Sequence, residues 1–230
     1  MALTNLLIAF PIAAPALYIA YQHISLAAKV QCRTTPYLQT STLSVPNEVQ
    51  QNPERYIIHH ERACKTIART QIDGVTRAEA LTLFLRHTMS TFSHLPPAWG
   101  IWYMLKDARD RKTFDEKYIQ CLGFEKGDRV CGVYVVELRN GGRAVLRLDA
   151  PKSYSGPRVE GMLVVGMEDE EAGEMVRFVN HTVLWREKGG GSKSVLEGKV
   201  GRYVHGLMVR RLMETAVGRL IKDSKSQCMQ

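Results

Sequence analysis

The stretch from Met175 to Lys222, MVRFVNHTVLWREKGGGSKSVLEGKVGRYVHGLMVRRLMETAVGRLIK, decides the fold class. Met175 to Glu187 is rich in β-branched and aromatic residues and reads as a strand. Gly189-Gly190-Gly191 is a flexible connection, with a short strand near Ser194 to Glu197. Val200 to Lys222 is a long closing helix, with Val, Leu and Met between basic side chains. Working upstream, the period of two repeats. Val130 to Arg139 is a strand, Asn140-Gly141-Gly142 a turn whose glycines accept positive φ, and Ala144 to Asp149 and Val159 to Met167 are further strands. An acidic turn, Glu168 to Glu174, precedes the last strand.

Ahead of this meander lie helices. Thr76-Arg77-Ala78-Glu79 has the form of a capping box, and Ala78, Leu81, Leu85 and Met89 follow at helical spacing. Pro96 and Pro97 stop this helix, and Pro97 opens a second one through Trp99, Trp102 and Tyr103. Tyr56 to Arg69 reads as a first strand. The order is strand, two helices, antiparallel meander and long helix, an α+β helix-grip architecture in which a curved sheet wraps the last helix around an apolar pocket.

From Met1 to Ala28 there is no Asp, Glu, Lys or Arg, which is long enough to cross roughly 30 Å of hydrocarbon. Residues 1–28 therefore read as a membrane anchor, ahead of a cleaved signal peptide, since a basic n-region is missing. Lys29 and Arg33 follow the segment, which places the domain on the cytosolic side, at the endoplasmic reticulum. Residues 29–55, with Pro36, Pro46 and Pro53, read as a linker, 56–223 as the ligand-binding domain and 224–230 as a tail.

The net charge of +8 is spread along the chain without a basic patch interleaved with aromatics, so no nucleic-acid partner is expected. Five cysteines at wide spacings, with no C-x-x-C pair, favour buried thiols in a reducing compartment. Gly189-Gly190-Gly191-Ser192-Lys193 lacks the ending of a phosphate loop, and no cofactor motif or metal-ligand spacing is present, so neither cofactor nor metal is expected. His59 and His60 are strand neighbours that face opposite ways, which argues against joint metal binding.

Gly127 to Gly132 entering a strand, Val159 to Val165, Val176 to Leu184 and Val204 to Met213 together resemble the START-like, or polyketide-cyclase-like (SRPBCC), superfamily and within it a DUF2867-like group. The resemblance covers roughly the last hundred residues and is one of fold, with no catalytic signature. It implies a pocket for a hydrophobic small molecule. It also implies either a cofactor-independent cyclase or isomerase acting on a terpenoid or polyketide precursor, or a membrane-tethered carrier of lipid or sterol. An assembly factor with a filled core is a third reading.

Within the last strand, His181 shares a face with Val179, Val183 and Trp185, while Phe178, Asn180, Thr182 and Leu184 share the other. If the first face is concave, His181 is the catalytic candidate, orienting a carbonyl or moving a proton beside Trp185. If the second is concave, Phe178 and Asn180 line the pocket. Tyr134, in phase with Val136 and Leu138, is a further substrate-binding candidate. His205 and Arg211 are assigned structural roles at the start and flank of the last helix.

Overall fold

The computed structural model describes residues 17–35, 45–170, 173–190 and 193–227. Seven strands form one antiparallel sheet in the order β1-β2-β7-β6-β5-β4-β3. They are β1 (Gln31–Thr35), β2 (Tyr56–Ala68), β3 (Arg129–Val130), β4 (Tyr134–Asn140), β5 (Arg143–Leu148), β6 (Glu160–Glu170) and β7 (Met175–Glu187). The helices are α1 (residues 17–29), α2 (Asn47–Gln51), α3 (Arg77–Ser93), α4 (Pro96–Met104), α5 (Ala108–Lys112), α6 (Glu116–Cys121) and α7 (Lys199–Gln227). The fold is α+β, a curved antiparallel sheet with a long C-terminal helix, as the sequence order requires.

The two longest strands, β2 and β7, pair along their whole lengths from Tyr56↔Glu187 to Ala68↔Met175. One sheet face packs against α3 and α7. There Phe84 meets Phe178 with ring centroids 4.9 Å apart, and Met213, Ala216 and Leu220 complete the core. The capping box is present: Thr76 accepts from the Glu79 amide and Glu79 accepts from the Thr76 amide at 3.0 Å. His87 Nε2 and Asp223 Oδ2, 2.8 Å apart, tie α3 to α7.

The other face carries a smaller apolar cluster, in which Val45 and Val49 cover Ile58, Val183 and Trp185. Phe178, Asn180, Thr182 and Leu184 therefore face the helices, and Val179, His181, Val183 and Trp185 face away from them.

Several boundaries differ from the sequence expectations. Residues 31–35, expected in the linker, pair with β2 from Gln31↔Cys64 to Thr35↔His60, and α2 lies within the same expected linker. An edge strand with sequence QCRTT buries only Cys32 and Thr35 in part, so it shows no hydrophobic alternation to read. The strand expected over 130–139 is broken into β3 and β4, because Cys131 and Gly132 have φ of 47° and 75° and turn the chain back on itself. The Gly132 amide donates to Thr113 Oγ1 at 2.8 Å inside that turn. Residues 194–197 form a 3-10 turn with a Ser194–Glu197 capping box in place of a short strand.

Most of the expected anchor, residues 1–16, lies outside the described residues. Among the described residues no helix is long and apolar enough to cross a membrane. The described end of that segment docks on the domain: Val30 enters the main core, Lys29 Nζ lies 3.4 Å from Glu214 Oε1, and His23 stacks on Tyr203.

Candidate functional site

Where the sheet diverges from α7, a cavity of about 310 Å³ opens between β4 to β7, α4 and the start of α7. Its walls are mainly apolar, with Leu148, Leu163 and Leu184 from the sheet, Phe92 and Ile101 from the helices, and Met208 from α7. The glycine at 161 lets two of the wall residues, Leu184 and Leu148, pack directly over β6. Gly161 pairs with Leu184, and a Cβ there would come within 2.6 Å of the Val183 carbonyl and collide with the Leu184 side chain.

The polar groups on its wall are few. Tyr134 lines it, its ring edge-on to Phe92 at 5.8 Å, and burial raises its phenol well above the ordinary range, so it stays a neutral donor. Thr182, His205, Tyr154, Ser194 and Lys193 also line it. His205 reaches in from α7 with its side chain 16% exposed, and its Nδ1 lies 3.0 Å from Oε1 of Glu61. Glu61 is only 1% exposed, on the helix-facing side of β2. Its second oxygen accepts from Thr34 Oγ1 at 3.4 Å.

A carboxylate only accepts, so in the neutral tautomer of His205 this contact puts the ring proton on Nδ1 and leaves Nε2 as the acceptor. That is the arrangement by which a buried carboxylate orients a general base. His59, two residues before Glu61 and hence on the same face, is also buried; its Nε2 has no hydrogen-bond partner. Burial lowers the His59 pKa from 6.5 to about 4, with Glu61 opposing the shift, so the ring is neutral. Cys32 lies beside Glu61. Burial, reinforced by that carboxylate, pushes its thiol up to about 12, which removes it as a nucleophile.

The residues expected from sequence are divided between the two faces. His181 faces away from the cavity, stacked on His60 with centroids 5.3 Å apart and with His60 Nε2 3.0 Å from its Nδ1. Burial, followed by the charges of His60, Arg62 and Arg143, lowers the pKa of His181 to about 3. Trp185 is on the same far face, in the cluster with Val45 and Val49, and borders a separate cleft of about 450 Å³. Phe178 faces the helices but is fully buried against Phe84 in the core, beyond the cavity wall. Asn180 is on the helix-facing side opposite Ala63, buried, with its Oδ1 lacking a partner.

Sequence reasoning passed over Glu61 and gave His205 a structural role. The available signal was the alternation His59-x-Glu61, which puts an imidazole and a carboxylate on one face of a strand. Comparison with protein-family models, curated proteins and solved structures gave no match.

Proposed function

We propose that this domain binds a small apolar molecule in the cavity between sheet and α7 and rearranges it as an isomerase or cyclase. The observation that carries this reading is the Glu61-oriented imidazole of His205 on the wall of a mainly apolar cavity. The cavity holds the substrate in one conformation, and His205 Nε2 takes up or returns a proton. Tyr134 and Thr182 offer hydroxyls to an oxygen of the bound molecule. The volume is at the lower end of the range for small-molecule sites. A compact terpenoid or polyketide precursor suits it better than a large lipid.

The helix-grip arrangement of sheet and C-terminal helix supports the resemblance to START-like proteins, whose pockets lie in the same place. The uncharged stretch of residues 1–28, followed by Lys29 and Arg33, supports a place at the cytosolic face of the endoplasmic reticulum membrane.

The test is incubation of the full chain with a panel of terpenoid and polyketide precursors, scored by chromatography for products of unchanged mass. His205→Ala is expected to lower turnover by about 10²-fold or more while binding of the precursor persists. Equal turnover by folded His205→Ala protein would remove the residue from the mechanism. Precursors bound and returned unchanged by the native chain would make it a carrier.

A further inference from the structure

We propose that His59, Glu61 and His205 form a binding site for one divalent transition-metal ion of the zinc class. One ligand atom from each residue lies within 4.8 Å of the others. Two imidazoles and one carboxylate match the donor preference of zinc, cobalt(II) or iron(II). Calcium and magnesium favour all-oxygen shells, and copper(I) favours sulfur. At metal–ligand distances of about 2.0–2.1 Å, neighbouring donors in a tetrahedral site stand about 3.3 Å apart. The contact between Glu61 and His205, at 3.0 Å, is already close to that spacing.

The second observation is independent of the first. His59 is 7% exposed, and its buried Nε2 has no hydrogen-bond partner, which is costly for a ring nitrogen unless something fills the role. The scaffold is stiff. His59 and Glu61 are two residues apart on β2, which is flanked on both sides by paired strands, and His205 comes from the second turn of α7. Thr34 holds the second carboxylate oxygen, the outer-shell support that metal ligands usually have.

Three protein ligands leave a position open, the pattern of catalytic rather than structural zinc sites. His205 borders the apolar cavity, so that position adjoins the proposed substrate. His59 and Thr34 border a second cleft of about 570 Å³ with Arg202 and Tyr203, which gives the ion a route from solvent. Arg202 near His59 and Arg210 near Cys32 oppose an added positive charge, and the Glu61 carboxylate offsets them. With Nδ1 of His205 as the ligand atom, its proton moves from Nδ1 to Nε2 as the ion enters, so the ion-loaded ring and the proton-accepting ring are alternative states of the same residue. The inference goes beyond the proton-transfer reading and does not depend on turnover.

The experiment is calorimetric titration of chelator-stripped full chain with Zn²⁺, paired with the visible absorption of the Co²⁺-loaded protein. One equivalent of Zn²⁺ per chain and an intense visible band from low-coordinate cobalt are expected. Glu61→Gln, His59→Ala and His205→Asn should each weaken binding by at least about tenfold, with circular dichroism confirming the fold. Cys32→Ser should leave binding unchanged. Sites retained at native affinity in folded Glu61→Gln and His205→Asn proteins, or no binding by the native chain, would overturn the inference. Binding of apolar precursors to the stripped protein, measured in parallel, tests the proposed function separately. If precursors bind and zinc does not, only the metal inference falls.

Discussion

At the scale of single residues, burial controls which imidazoles can act. His59 and His181 are lowered from 6.5 to about 4 and about 3, chiefly by loss of solvent around the charged form. In the unfolded chain both take up protons as pH falls through 6.5, whereas in the folded chain they stay neutral until about 4 and 3. The unfolded state therefore binds more protons across that window, and stability rises with pH. The contribution is fully present above 6.5 and is lost as pH falls toward 3. A melting series from pH 7.5 to 4 should show a falling Tm, and His181→Asn should flatten part of the fall. An equally steep fall in that variant would place the acid sensitivity elsewhere. The same variant should leave the cavity chemistry intact, because His181 lies on the opposite face of β7 from His205.

At the scale of elements, β7 serves two cores at once. Its alternation sends Phe178 into the helix-side core and Trp185 into the cluster under Val45 and Val49. Both Phe178→Ala and Trp185→Ala are therefore expected to cost stability, about 3–5 kcal/mol for a buried aromatic, and neither removes a group from the cavity wall. The pairing of β6 with β7 offers a more specific test. Gly161→Ala puts a methyl against the Val183 carbonyl and the Leu184 side chain, so the pair must shift or Leu184 must swing into the cavity. A loss of about 1–3 kcal/mol in urea denaturation is expected, together with weaker precursor binding. Unchanged binding would show that the wall at Leu184 is not where the ligand sits.

At the scale of the whole molecule, the sheet is closed on one face by two long helices and, among the described residues, on the other by a short segment around α2. The end of α1 is packed on α7 through Val30, Lys29 and the His23–Tyr203 stack, so the described end of the uncharged stretch is coupled directly to the domain that holds the cavity. If that stretch anchors the protein, alkaline carbonate extraction of membranes carrying the full chain should leave it in the pellet. Recovery in the supernatant would remove the membrane reading and leave the cavity unaffected.

Local pattern in the sequence determined the strands from Tyr56 and Met175, the capped helix at Thr76, the proline-started helix after it and the long closing helix, because each carries its own periodicity or cap. The two alternative faces of Met175 to Glu187 were also legible, since a strand alternates. Which face meets the helices was not, because both are rich in apolar residues and both are buried, one by α3 and α7 and the other by Val45 and Val49. β1 was invisible for the opposite reason: its polar residues are held by hydrogen bonds to a neighbour contributed by a distant part of the chain. The pairing of Glu61 with His205 spans 144 residues and exists only because α7 crosses β2 at that point. Packing over that separation, rather than any spacing along the chain, turned a strand carboxylate and a helix imidazole into one site.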